Sequence, residues 1–273
     1  MGRYLCAWLE NDASHRRIDE RLASSTTAQA AAILALAACV IAAYISVLLF
    51  KRNKIKPQKA TIYVALATFS WSMLFFFASQ IYLFAGMNLG MAYVLQVIMY
   101  GSMILAVIFL FMFARKAFFA GKTRIYVLYI ALGIFLAVIL GVTDSSYIEA
   151  FPDSIGGDYP AIILKTEYGL LLAAYVVPTL VGISLSAFKV SSRLGERLFS
   201  RGFQVIGLGL VIALITILCD TVATLLISNI IGYAIALSAQ WILNVFSAIS
   251  LYVGWTMPGW FQRRYGLKKG STP

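Results

Sequence analysis

Seven apolar runs, at about 27–50, 60–85, 88–114, 125–142, 168–188, 202–227 and 230–255, dominate this chain. Most of them exceed the roughly 20 residues a helix needs to cross the hydrocarbon of a bilayer. The run at 125–142 is the shortest. In hydrocarbon the backbone has no water to bond, so a spanning segment satisfies its own N–H and C=O groups as a helix. The expected fold is therefore all-α, an integral membrane bundle of seven transmembrane helices in one domain. Charged residues make up 12% of the 273, about half the share in a soluble domain. The second and third runs are joined only by Gly86 and Met87, and the sixth and seventh only by Ser228 and Asn229. Each of those pairs must be an antiparallel hairpin.

The net charge of +11 could indicate a nucleic-acid partner. Its distribution argues for a membrane instead. Four alternate segments (51–59, 115–124, 189–201 and the tail from 263) carry 17 of the 22 basic residues and one acid, Glu196. The N-terminal tail and the link 143–167 carry nine of the eleven acids. Positive charge stays on the cytoplasmic side, so the expected orientation has the N-terminus outside and the C-terminus in the cytoplasm of a cell membrane. The basic segments then meet anionic lipid headgroups, and no nucleic-acid partner is expected.

The resulting division is a polar outer tail at 1–26, a seven-helix domain at 27–255 and a basic cytoplasmic tail at 256–273. Residues 1–26 lack the short apolar core and cleavage site of a signal peptide. Within the helical domain the outer link 143–167 is long and acidic, and Pro152, Gly156, Gly157 and Pro160 oppose a regular helix. It reads as a solvated loop or a lid over the outer helix ends. Trp255, Trp260 and Phe261 read as interfacial anchors, with Pro258 and Gly259 ending the last membrane helix.

No reaction chemistry is visible, and the chain is not expected to be an enzyme. There is no Ser-His-Asp set, zinc spacing, phosphate-binding loop or CxxC. Cys6, Cys39 and Cys219 show no pairing or metal pattern, and the single histidine, His15, lies in the polar tail. Retinal would need a lysine in the seventh run, which has none. No cofactor and no metal are expected. The GLGL at 207–210 reads as helix packing, as does the alanine face of the first run (Ala31, Ala35, Ala38, Ala42).

One residue breaks the apolar pattern. Asp220 is the only acidic or basic side chain inside any of the seven runs. A carboxylate at the bilayer centre costs about 2.5–3.5 kcal/mol on insertion scales, so it should face protein or water. Other helices offer polar groups at helical spacing. The sixth run has Thr216, Asp220 and Thr224; the seventh has Tyr233, Gln240, Asn244 and Ser247; the third has Tyr93, Gln96 and Tyr100; the second has Thr68, Ser72, Ser79 and Gln80; the fifth has Tyr175, Thr179 and Ser186 beside Pro178. At 1.5 Å per residue, Asp220 and Gln96 lie about 13 Å below the outer ends of their helices, Gln240 about 15 Å and Gln80 about 9 Å. The candidate ligand-binding set is therefore Asp220, Gln240, Asn244, Gln96, Tyr93, Gln80 and Tyr233, in one layer of the outer half. The competing reading is interhelical hydrogen bonding that fixes packing, at about 0.6 kcal/mol per bond.

The end of the seventh run, LYVGWTMPGWFQRR at 251–264, carries one resemblance. An aromatic helix end, then Pro258, Trp260, Phe261, Arg263 and Arg264, resembles the end of the seven-helix membrane input region of prokaryotic sensor histidine kinases. The resemblance covers those fourteen residues and, more generally, the seven-helix layout. It implies a sensory module and no catalytic residue. The chain departs from the pattern in that no kinase domain follows in its 273 residues, so a protein partner would carry the output.

The expected function is a receptor-like or sensory multi-pass module. It would bind a small polar or amphiphilic ligand in an outer-half pocket, within the lipid bilayer, and signal through a partner. The alternatives are a small-solute transporter or channel, or a structural subunit of a membrane complex. Against a secondary transporter, only Pro178 interrupts a run and no internal repeat is evident.

Overall fold

The computed structural model describes residues 26–55, 57–84, 89–118, 123–143, 145–150, 160–225 and 230–265. These form eight helices and one small hairpin: α1 (Thr26–Ile55), α2 (Lys59–Phe84), α3 (Leu89–Ala117), α4 (Thr123–Val142), β1 (Ser146–Ala150), β2 (Pro160–Leu164), α5 (Thr166–Arg193), α6 (Arg197–Leu225), α7 (Ile230–Thr256) and α8 (Gly259–Tyr265). The expected tail at 1–26 and the last residues, 266–273, lie almost wholly outside the described part.

Six of the helices are long and apolar enough to span a membrane. The apolar part of α4, Tyr126–Val142, is shorter. Large apolar side chains stand exposed around the bundle, among them Ile33 and Tyr44 on α1, Leu128 and Phe135 on α4, and Leu185 on α5. A belt of this extent would be untenable in water and is at home in hydrocarbon. The fold is that of a multi-pass helical membrane protein.

Helix pairs adjacent in sequence pack on one another, most extensively α1 with α2, α2 with α3 and α6 with α7. Contact between α1 and α7 closes the arrangement, and α4 rests chiefly on α3. The alanine face of α1 forms as expected: Ala31, Ala35, Ala38 and Ala42 are all buried. Small side chains let α2 approach closely enough for Ser46 Oγ to donate to the Ala65 carbonyl, at 2.9 Å.

One end of the bundle gathers the basic segments. The Arg52 guanidinium, at the end of α1, donates to the Thr256 carbonyl at the end of α7. This satisfies one of the carbonyls that a helix C-terminus leaves without an intrahelical partner, and it sets a cation at the negative end of the dipole. Trp255 Nε1 donates to Thr61 Oγ1 on α2 at 3.0 Å, and its ring meets Phe113 of α3 edge-on at 5.0 Å. Phe118, just past α3, packs on Phe203 of α6. Arg115 of α3 lies 3.9 Å over the Tyr126 ring of α4, and Ser191 of α5 bonds Ser200 of α6 at 3.1 Å. The C-terminal ends of α1, α3, α5 and α7 thus meet the N-terminal ends of α2, α4 and α6, so the seven long helices alternate in direction.

Two details differ from the sequence reading. Part of the link 143–167 is a β-ladder, with Ser146 opposite Leu164 and Ala150 opposite Pro160 in antiparallel register. The β-branched pair Ile162–Ile163 suits a strand. The anchors also divide. The α7 helix stops at Thr256, before Pro258, with Met257 in the left-handed region (φ 46°). The chain then turns into α8, where Trp260 is exposed but Phe261 is only 3% exposed. Phe261 is a protein contact, because the turn folds α8 back against α6, whereas Trp255 stays half-buried while bonding Thr61 and packing on Phe113.

Candidate functional site

The site is organised by the seam between α6 and α7, which is built on missing side chains. A Cβ on Gly254 would meet the Gly202 carbonyl at 2.6 Å, and one on Gly202 would meet the Gly254 carbonyl at 2.8 Å. One on Gly209 would meet Ser250 Cβ at 2.7 Å. Backbone therefore touches backbone at the basic end. The Ser247 hydroxyl donates to the Gly209 carbonyl at 2.8 Å, and on the other flank Ser184 of α5 donates to the Gly207 carbonyl at 3.0 Å. The GLGL motif is thus two packing contacts in opposite directions, one towards α5 and one towards α7.

Going up α6 from Gly209 and down α7 from Ser247, the next step pairs Thr216 with Asn244. Both are buried. The Thr216 hydroxyl donates to its own helix at Ala213 (2.7 Å) and lies 3.4 Å from Asn244 Oδ1, the long end of a hydrogen bond. The step after that pairs Asp220 with Gln240, whose side-chain amide donates to the carboxyl group. The Asp220 side chain is exposed. The Oε1 of Gln240 is buried and has no hydrogen-bond partner among the described residues.

Next to Gln240, Trp241 is 4% exposed and packs edge-on against Phe75 and Tyr82 of α2, with centroids 5.7 and 6.3 Å away. Its Nε1 also lacks a partner among the described residues. A buried donor or acceptor left unpaired costs about 1–3 kcal/mol, and native structures hold few. Two such atoms on adjacent residues, beside an intramembrane carboxyl group, mark this level of α7.

The other candidates are placed as follows. Gln96 is buried on α3 and Tyr93 half-buried one turn away. Gln80 is half-buried, and its described hydrogen bond, at 3.4 Å, goes to Ser79 on its own helix. The polar stripe of α2 is largely consumed locally: Thr68, Ser72 and Ser79 each donate to a carbonyl three or four residues back. The side chain of Tyr233 lies outside the described residues, and so does that of Thr224. The structure therefore joins Asp220 to Gln240 and, one turn below, Asn244 to Thr216.

The cavity described at this level is apolar. About 350 Å3 lies between α6 and α7, lined by Leu218, Cys219, Val222, Gly232, Ile235 and Ala236. The two helices touch at the glycines near the basic end. The small residues Cys219, Gly232 and Ala236 then leave a slot on the side facing lipid. Trp241 and this slot were both missed by the sequence reading. An aromatic residue in an apolar run carries no periodic signal, and a slot depends on how two helices diverge.

A second polar cluster ties α4 down. Tyr129 stacks between Phe111 and Tyr175, at 4.2 and 4.6 Å. Its hydroxyl bonds Thr179 Oγ1 at 2.7 Å, and the Tyr175 hydroxyl donates to the Tyr129 carbonyl at 3.3 Å. Tyr175 and Thr179 form the expected stripe of α5, used here for packing. Among the described residues no group of three His, Cys, Asp or Glu comes together.

No protein family, curated protein or solved structure matches the chain. The class of protein is accordingly set by the architecture alone, a multi-pass helical membrane protein with a polar seam at Asp220.

Proposed function

We propose that the chain is a receptor-like sensory module of the cell membrane with seven spans, its N-terminus outside and its C-terminus in the cytoplasm. The 20 residues of α4 extend about 30 Å, the thickness of the hydrocarbon core, and α4 alternates with its neighbours. The segregation of basic residues supports the orientation.

A polar crevice around Asp220 would hold a small polar or amphiphilic ligand. The observation that carries this reading is an exposed carboxyl group within an apolar spanning helix, bonded to Gln240 of the next helix. Intramembrane carboxyl groups are costly and tend to mark ligand or ion sites. A ligand there would press on α6 and α7, and the glycine contacts would pass the displacement to Met257 and α8. A protein partner reading α8 would supply the output.

The test is access from outside. In a variant lacking Cys6, Cys39 and Cys219, Asp220→Cys should react with a small, charged, impermeant thiol reagent on intact cells. Absence of reaction in folded protein would remove the outward-opening crevice. A purified, reconstituted protein that moved small solutes across liposomes unaided would favour the transporter reading.

A further inference from the structure

We infer that the α6–α7 seam holds one sodium ion, between the rung Asp220–Gln240 and the rung Thr216–Asn244. Its ligands would be a carboxyl oxygen of Asp220, Asn244 Oδ1, Thr216 Oγ1 and, once its amide is turned over, Gln240 Oε1. The inference rests on the reading of Asp220 as a ligand group and names an ion as part of that site.

The lower rung carries the first observation. A hydroxyl has one proton, and Thr216 gives it to the Ala213 carbonyl at 2.7 Å. Thr216 Oγ1 then faces Asn244 Oδ1 at 3.4 Å as one acceptor facing another. Both side chains are less than a tenth exposed, 5% and 8%. Two buried acceptors gain nothing from each other, and a cation between them satisfies both. Two ligands at right angles about a cation stand √2 times the metal–oxygen distance apart. A separation of 3.4 Å thus corresponds to about 2.4 Å, within the roughly 2.3–2.6 Å of a hard cation the size of Ca2+.

The upper rung supplies the charge. Asp220 bonds Gln240, and no Lys or Arg lies within any of the apolar runs to balance a carboxylate. Gln240 Oε1 is a further buried acceptor, with no partner among the described residues. Turning the amide over exchanges that oxygen with the nitrogen. The rungs are four residues apart on each helix, about 6 Å. Cα–Cβ bonds tilt towards a helix's N-terminus. Because α6 and α7 are antiparallel, Asp220 leans towards the lower rung and Asn244 towards the upper one, so their oxygens converge in the gap.

Carboxylate and carbonyl oxygens suit a hard cation. One carboxylate balances one positive charge, and a divalent ion would leave an uncompensated charge in hydrocarbon. The monovalent ion of the required size is Na+, since K+ is larger and needs its oxygens further apart. Entry is from the exposed Asp220 side, where waters complete the shell.

The full chain in phosphatidylcholine nanodiscs is titrated with NaCl against N-methylglucamine chloride at constant ionic strength, and melting is followed by tryptophan fluorescence. An ion bound only by the folded state raises the melting temperature by mass action. The rise should saturate, and KCl should need about tenfold more for the same rise, a ratio equal to about 1.4 kcal/mol. Asp220→Asn should melt with the parent in N-methylglucamine and gain nothing from Na+. Thr216→Val should raise the half-saturating Na+ concentration about tenfold, and Thr216→Ser, which keeps the oxygen, should restore it. The parent should also retain one radioactive sodium ion per chain, displaced by unlabelled Na+.

Equal melting in the three salts, or a parent that retains no labelled sodium, would overturn the ion and leave the seam as plain hydrogen bonding. A sodium-dependent rise that survives Asp220→Asn, or a half-saturation untouched by Thr216→Val, would overturn these ligands. Reaction of Asp220→Cys from the aqueous side is a separate measurement. The crevice reading can thus stand when the ion fails, and its own failure is seen independently.

Discussion

Replacing Gly254 by alanine puts a methyl group where the two helices already touch. Its Cβ would sit 2.6 Å from the Gly202 carbonyl oxygen and 2.9 Å from the Ile206 backbone nitrogen. Both are backbone atoms of α6 and cannot rotate aside. Ordinary contact begins near 3.4 Å, so α7 has to withdraw by about 0.8 Å or bend, and overpacking of this kind costs about 1–3 kcal/mol. Withdrawal also stretches the Ser247 bond to the Gly209 carbonyl, now 2.8 Å. The usual gain of alanine over glycine in a helix, about 0.5–1 kcal/mol, is reduced here, because helices in a bilayer or micelle stay largely helical when they come apart. The net expectation is a loss of about 1–2 kcal/mol. Gly182 is the internal control: a Cβ there meets nothing within 4 Å, so Gly182→Ala should fall within about 0.5 kcal/mol of the parent or above it. Thermal melting of the detergent-solubilised variants, followed by tryptophan fluorescence, measures the pair. Gly254→Ala melting at or above both the parent and Gly182→Ala would refute the close seam.

Three further outcomes are expected. Asp220→Asn keeps an acceptor for the Gln240 amide and should melt within about 0.5 kcal/mol of the parent, whereas Asp220→Leu loses it and should cost about 0.6–1.7 kcal/mol, the range measured for interhelical bonds in membranes; Asn melting below Leu would count against the pairing. Thr179→Val removes the hydroxyl that bonds Tyr129 and should loosen α4 by about 1 kcal/mol, seen as faster hydrogen exchange in 126–142 and unchanged exchange in α6; uniform change across the bundle would contradict a local tie. For topology, a cysteine at Asp153 should react with an impermeant reagent on intact cells lacking Cys6, and one at Lys54 should not; the reverse pattern would invert the orientation.

The helices were legible in the sequence because hydrocarbon leaves a chain few options. Each run had to form a helix, and the structure places one on every run, with α4 the shortest. The alanine stripe of α1 and the packing role of GLGL could be read in advance for a related reason: small residues on one face matter only if another backbone comes close. Asp220 was conspicuous by its cost, and the short link between α6 and α7 set Gln240 at its level. Periodicity could not distinguish stripes facing a neighbouring helix from stripes bonded to their own backbone. The serines and threonines of α2 belong to the second kind, since a hydroxyl reaches its own i−3 or i−4 carbonyl as readily as a neighbour's. The rest was decided in three dimensions. Gly254 pairs with Gly202, Arg52 meets the end of α7, Trp241 is walled in by Phe75 and Tyr82, and a shallow apolar slot forms between Leu218 on α6 and Ile235 on α7. Each depends on the angle and rotation of one helix against another, which many side chains fix jointly, whereas the existence of a spanning helix is fixed locally by the solvent around it.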